Sequence, residues 1–403
     1  MRPFTEFPEA IVTDPYPFYA RLRREAPVWR VPGTDAYFVS TWELVSEAAS
    51  RVDDFSNHFR HTFFRDDDAG LGVRYDDPGA AAIDVFAGAD PPDHTLHRKL
   101  FFPELMQKKM ATLEADVAAL AHVLVERLLA SPEADAVEHL ANPLPMQIVA
   151  ERVIGFPARD VSQIQRWVFA GSRFMGGRLR LDEMAAVGAE AAGLMPWVDA
   201  QLDDAISSPP TADALGAAAS GVRDGVLTRP QAAFALMVLL GAGGETTTSL
   251  IGNAVRVLAE RPELQERLRA HADEVAAFVE EVLRFESPFR FHPRTTLRPV
   301  ELGGVEIPEH AMVALCWGAA NRDESVFDRA DAFEIDRPNL HLHLGFGRGI
   351  HHCVGAPLAR LEARVALTTL LERTRSFALD PQRPPQWTDA SMNAPCQIVA
   401  GPS

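Results

Sequence analysis

The sequence predicts a mainly helical protein with small peripheral β-sheets. Six long segments carry apolar residues at three-to-four spacing, strand-like runs are few and short, and 47% of the 403 residues are hydrophobic, ample for a large core. The helical segments are 107–129, 161–174, 182–205, 230–260, 262–285 and 357–374, and the strand-like runs include 37–40, 300–305 and 312–317. A chain of this length has two domains as its starting expectation. No Ser/Gly linker, low-complexity tract or internal repeat divides it, so it reads as one unit, 1–403, with a small β-rich part over about 1–60 and a helical remainder.

Charge and cysteines narrow the function classes. A formal net charge of −17 disfavours nucleic-acid binding, which needs a basic face. The longest apolar run, 232–243, is interrupted by Gly and followed by Glu245, too short for a bilayer of roughly 30 Å. The start, Met1-Arg2-Pro3-Phe4, does not resemble a signal peptide, and no membrane anchor is expected. Cys316, Cys353 and Cys396 are odd in number and widely spaced, which argues against a disulfide framework and for a reducing compartment, with the cytoplasm as default.

Along the chain, residues 57–92 lack periodicity and hold Asp66, Asp67, Asp68, Asp76 and Asp77 among Gly and Ala. They read as a long loop, either an active-site lid or a solvated acidic insertion. The 230–260 helix starts at a capping box, Thr228 with Gln231, carries Pro230 in its first turn and stops at Arg261-Pro262. Its centre, Gly241-Ala242-Gly243-Gly244-Glu245-Thr246-Thr247-Thr248, is poor in helix formers; each interior Gly costs roughly 0.5–1 kcal/mol against Ala. That cost implies a reason to keep the stretch slim and distortable.

Phe346-Gly347-Arg348-Gly349-Ile350-His351-His352-Cys353-Val354-Gly355 precedes the last long helix. A Gly-rich loop lets backbone N–H groups turn toward a sulfur, and a following helix N-terminus favours the thiolate. Judged alone, Cys353 is either such a functional thiolate or a small buried hydrophobe. Zinc is disfavoured, because His341, His343, His351, His352 and Cys353 match no zinc-ligand spacing and no second cysteine lies nearby. A Cys353–His352 catalytic pair requires the fold to aim adjacent residues at one substrate. The glycines of the long helix lack the Gly-Lys-Ser/Thr ending of a phosphate loop.

These residues resemble the cytochrome P450 superfamily over most of the chain. Phe346, Gly349, Cys353 and Gly355 match its Phe-x-x-Gly-x-x-x-Cys-x-Gly signature, and Ala242-Gly243-Gly244-Glu245-Thr246 its oxygen-activation motif. Glu281-Val282-Leu283-Arg284 resembles the Glu-x-x-Arg motif; Glu266/Arg269, Glu334/Arg337 and Glu372/Arg375 fit it too. Only Glu281/Arg284 ends a helix about seventy residues before Cys353, ahead of a segment, 287–294, like the family's strand along the haem. His94-Thr95-Leu96-His97-Arg98 is similar to the His-x-x-x-Arg propionate clamp, and Asn321-Arg322-Asp323 with Phe327-Asp328 to the loop before the cysteine. The chain departs from the pattern at Ala332, where an Arg is common; Arg337 is the candidate substitute as third partner of Glu281 and Arg284.

The resemblance implies haem b (iron protoporphyrin IX) with Cys353 as axial ligand, a thiolate that favours O–O cleavage. It implies that His94, Arg98, Arg294 and His351 bind the propionates, that Phe346, Gly347 and Gly355 line the sulfur side, and that Glu281 and Arg284 are structural. Thr246 is expected to hydrogen-bond dioxygen over the haem and Glu245 to relay the protons that O–O cleavage consumes. Val238, Gly241, Ala242, Phe289, Phe291 and Met392 are candidate pocket residues for a small hydrophobic substrate. With no dinucleotide fingerprint and no Cys cluster in the chain, electrons are expected from NAD(P)H through a ferredoxin and ferredoxin reductase, docked on Arg98, Lys99, Lys108, Lys109, Arg348, Arg360 and Arg364. The implied activity is an O2-dependent monooxygenase. The alternatives are a peroxide-driven or oxidative-coupling haem-thiolate enzyme and a non-catalytic haem-binding protein.

Overall fold

Thr228 and Gln231 start the longest helix. In the computed structural model, which describes residues 14–58, 60–66, 70–75, 83–131, 135–173, 179–385 and 398–402, that helix is Arg229–Glu260. Thr228 Oγ1 accepts the Gln231 N–H at 3.3 Å and Gln231 Oε1 accepts the Thr228 N–H at 2.9 Å, so two N–H groups without helical partners are satisfied reciprocally. Its 32 residues span about 48 Å. From Thr247 to Ala259 every residue is buried. Earlier in the helix an accessible stripe remains, formed by Phe234, Val238, Gly241, Ala242, Glu245 and Thr246.

The slim centre of this helix has a packing cause. A Cβ on Gly243 would stand 2.7 Å from Val149 Cγ2, and one on Gly244 would collide with Met146 Cε. Both contacts come from a crossing segment made of the helix Pro143–Gln147 and the wider π-turns Ile148–Ile154. Gly241 differs, because a Cβ there would meet only Val168 Cγ1, at 3.9 Å. Among the described residues Arg229–Glu260 is also the one helix long and apolar enough to cross a membrane, and half of its most apolar window is buried inside the fold. It is a core helix.

Three of the predicted helices are broken. The 107–129 segment is Gln107–Ala111 followed by Glu114–Ala130, and 182–205 is Leu181–Ala191 followed by Leu194–Ile206. At the second break Gly193 lets the Trp167 indole approach, since a Cβ there would lie 2.6 Å from it. The 262–285 segment is Pro262–Ala270 and Val275–Phe285, joined by a 3₁₀ turn. Apolar spacing continues across each break because both pieces face the same core, so periodicity alone does not reveal the turn. The remaining two are Val161–Ser172 and Ala356–Arg373.

A five-stranded sheet runs Val28–Arg30, Ala36–Val39, Met312–Leu315, His292–Thr296, Phe55–Ser56. Only Ala36–Val39 against Met312–Leu315 is parallel, with Ala36 opposite Met312. The β-rich part is therefore not confined to the first 60 residues, because its third and fourth strands come from 292–315. Residues 300–305 form a hairpin rather than one strand, Val300–Leu302 with Val305–Ile307, turning at Gly303 and Gly304, both at positive φ. Residues 57–92 are not a loop throughout: His61–Asp66 and Gly70–Tyr75 pair as an antiparallel hairpin. The charge run hid the strand pattern Thr62-Phe63-Phe64 and Val73-Arg74-Tyr75. Residues 76–82, with Asp76 and Asp77, lie outside the described residues, as does Met392.

One core group is out of place electrostatically. Glu362, on Ala356–Arg373, is fully buried and neither carboxylate oxygen has a hydrogen-bond partner among the described residues. Burial pushes its pKa well above the usual carboxylate range, so it is held neutral. Glu362→Gln is expected to raise the urea midpoint at about pH 8 and to lose that advantage by about pH 4. Below the ordinary carboxylate pKa both states of the wild type are protonated, whereas above it only the unfolded chain ionises, which drains wild-type stability. Urea melts at the two pH values check this; a gain that does not shrink on acidification rejects the neutral-acid assignment.

Candidate active site

The loop before Ala356–Arg373 is shaped by hydrogen bonds and two glycines. Cys353 N–H donates to Phe346 O at 2.9 Å and Gly347 N–H to Leu344 O at 2.9 Å, closing the loop on itself. Gly347 and Gly349 adopt φ of 68° and 76°, and a Cβ on Gly349 would also stand 2.8 Å from Ala49 O, so neither position accepts an ordinary side chain without strain. The Gly355 and Ala356 N–H groups address the Cys353 sulfur. Burial pushes the Cys353 thiol up, and those two N–H groups with Arg360 and Arg98 pull it back only in part. The residue lies deep in the molecule, yet its side chain is accessible, so it faces an interior cleft. Arg98 Nη1 donates to Ile350 O at 2.9 Å and His352 O at 3.0 Å, and the Arg360 guanidinium lies 4.5 Å from the centre of the Phe346 ring.

Beside the loop, cationic and imidazole groups converge from three elements. His94, on the helix Asp93–Leu105, is buried with its ring 4.2 Å from that of His351. Arg294, on the strand His292–Thr296, is buried; its one described side-chain hydrogen bond goes to Pro293 O at 2.8 Å, and it forms no ion pair among the described residues. Burial draws the Arg294 pKa down to about 10. His351 is drawn down to about 3, chiefly by burial and then by His94, Arg294 and Arg98, and is therefore neutral. His292, two residues before Arg294 on the same strand face, accepts the Trp317 Nε1–H on Nδ1 at 2.7 Å, which leaves Nε2 as its N–H donor. Its part in this cluster was not read from the sequence, although strand alternation with Arg294 was the available signal.

Glu281 and Arg284 are both fully buried and joined by two bonds, of 2.6 and 2.7 Å. Arg284 also donates to Asn321 O, Ala330 O and Ala332 O at 2.8–2.9 Å. Arg337 is the third ionic partner, with Nε 3.2 Å from Glu281 Oε1 and Nη2 donating to Ala332 O at 2.7 Å. An arginine five residues past Ala332 thus supplies the charge that position 332 lacks.

Two expectations need correction. Phe291 is buried in the core of the sheet, 5.8 Å from the Phe38 ring and clustered with Tyr19 and Trp29, so it does not line the cleft; Phe289 is partly accessible, 4.4 Å from the His292 ring. The basic docking patch is neutralised in part: Arg360 pairs with Glu280 at 2.6 Å, Arg364 with Glu114 at 2.7 Å and Lys109 with Glu104, while Arg98 serves the loop carbonyls and Arg348 lies over Trp42. Sequence spacing shows cations but not the acids that fold back onto them.

The family model described as Cytochrome P450 matches residues 198–399. Cytochrome P450 144 of Mycobacterium tuberculosis is 37% identical over 370 residues, covering 92% of this chain and 85% of the relative. The chain belongs to the cytochrome P450 family. Linalool 8-monooxygenase of Pseudomonas putida is 31% identical to this P450 over 91% of the chain and 90% of its own length. The structure of a mutant P450 EryK with erythromycin B superposes with a TM-score of 0.84, at 29% identity over 98% of both chains. Named monooxygenases among its relatives make this P450 a monooxygenase, and the family's cofactor is haem. The residues present suit that group: a cleft-facing cysteine with two N–H donors on its sulfur, and a buried arginine that forms no ion pair among the described residues, beside two histidines.

Proposed function

We propose that this P450 inserts one oxygen atom of O2 into a small hydrophobic organic molecule, using electrons from NAD(P)H delivered by an external ferredoxin and ferredoxin reductase. The reading treats 1–403 as one functional unit in the cytoplasm. Cys353 would hold the haem iron through its sulfur, which the Gly355 and Ala356 N–H groups address, with Phe346 and Gly347 closing that side. Arg294, Arg98, His94 and His351 would hold the propionates. When bound, haem supplies a thiolate-ligated iron at which dioxygen is activated.

The observation that carries the reading is the accessible stripe on an otherwise buried helix. Thr246 Oγ1 donates to Ala242 O at 2.6 Å, which fixes its rotamer on that stripe, and Glu245 is partly accessible beside it. A hydroxyl so held presents its lone pairs outward to accept and pass a proton, and Glu245 is the carboxylate able to refill it. Val238, Gly241 and Ala242 add small apolar surface along the same face, and Phe289 a wall, which suits a terpenoid, steroid, aromatic acid or polyketide. The linalool enzyme, by its name, acts on one such molecule. Removing the relay leaves iron reduction intact, so Thr246→Ala is expected to keep consuming reductant while product per reductant falls about tenfold or more. Product and NAD(P)H measured together check this. Unchanged coupling removes Thr246 from the proton path and favours the peroxide-driven or coupling alternative; no spin-state shift with any compound and no NAD(P)H consumption leaves a haem-binding protein.

A further inference from the structure

Among the described residues, one carboxylate beside the cationic cluster acts on both Arg294 and His94, that of Asp90. Sheet pairing fixes its place: Phe55–Ser56 lies antiparallel to His292–Thr296, with Ser56 opposite Thr295, the residue after Arg294. Ser56 Oγ donates to Asp90 Oδ2 at 2.5 Å and Asn57 N–H donates to Oδ1 at 2.9 Å. Asp90 O accepts the His94 N–H at 2.9 Å, so Asp90 joins the start of the His94 helix to Phe55–Ser56, the strand beside that of Arg294. Its one described ion-pair neighbour is His58, whose Nε2 is 3.7 Å from Asp90 and equally 3.7 Å from Asp84, which Arg60 also holds with two bonds. No arginine or lysine among the described residues pairs with Asp90, and its negative charge favours the cationic forms of Arg294 and of His94.

We propose that Asp90 is a resident counter-anion that competes with the haem propionates for Arg294 and His94, loosening haem retention and holding the reduction potential down. This rests on the reading that Arg294 and His94 receive the propionates. The cluster carries two arginine charges against two propionates and a thiolate, so another fixed carboxylate nearby repels the cofactor instead of helping to bind it. The same charge disfavours the added electron when the iron is reduced. Asp90 acts through Arg294 and His94 and is a positioning residue.

The sign separates this role from a structural one. Losing a purely structural hydrogen-bond acceptor loosens the site, whereas losing a competing charge tightens it. Haem transfer from the holoenzyme to excess apomyoglobin is timed, and the midpoint potential measured, for wild type, Asp90→Asn, Asp90→Ser, Ser56→Ala and Arg294→Gln. Asp90→Asn and Asp90→Ser are expected to slow transfer by about three- to tenfold, screened by salt, and to move the potential upward. Ser56→Ala keeps the charge and is expected not to slow it; Arg294→Gln is expected to speed it. If Arg294→Gln speeds transfer but neither Asp90 variant slows it, the counter-anion role is overturned while the propionate reading stands. If Arg294→Gln leaves transfer unchanged, the propionate reading falls and this proposal with it.

Discussion

With Cys353 replaced by serine, the dithionite-reduced protein under CO is expected to lose the strongly red-shifted Soret band, and O2-dependent turnover to fall to background. Serine keeps the size and the backbone but offers a hydroxyl that stays protonated where a metal-bound thiol does not. The loop should survive, because neither its closing bond from Cys353 N–H to Phe346 O nor the Arg98 bonds to Ile350 O and His352 O use the Cys353 side chain. Far-ultraviolet circular dichroism therefore stays at the wild-type value while the spectrum changes. A retained red-shifted band would remove Cys353 from the iron.

Arg284→Ala is expected to be the most damaging substitution for folding. It removes both short bonds to Glu281, which is fully buried, and leaves the carbonyls of Asn321 and Ala330 without the guanidinium. Breaking a buried pair by removing one partner costs about 3–5 kcal/mol, a large share of the roughly 5–15 kcal/mol that holds a protein folded. Arg337 still approaches Glu281 at 3.2 Å but is already committed to Arg329 O and Ala332 O. Arg284→Lys should fail as well, since one ammonium cannot replace five donors that reach Glu281 and three carbonyls. Soluble yield and the urea midpoint measure the loss. A midpoint within about 1 kcal/mol of wild type would show that the pair is dispensable.

The parts legible in the sequence are those where local chemistry decides. The Thr228–Gln231 cap and Pro262 bound the long helix to within a residue, because caps act over a few bonds. The glycines of the cysteine loop reflect positive φ at 347 and 349, and the Glu281–Arg284 spacing places both on one helix face. The misses share the opposite property. Phe291 reads like a pocket wall until the sheet brings Phe38 against it; Arg360 and Arg364 read as free cations until Glu280 and Glu114 arrive from distant helices. Asp90 gave no signal at all, since its role depends on Ser56 meeting Thr295 across a sheet.

The parallel ladder between Ala36–Val39 and Met312–Leu315 has a consequence for biosynthesis. At about 5–20 residues per second, the strands Val28–Arg30 and Ala36–Val39 leave the ribosome long before their partner exists, with one hairpin edge unpaired throughout. Loop closure over that separation is entropically slow, so this sheet is completed only after the helices that lie between its strands in the chain have been made. Because Arg294 belongs to the neighbouring strand of the same sheet, one side of the cofactor cradle is set only once Met312–Leu315 has been made.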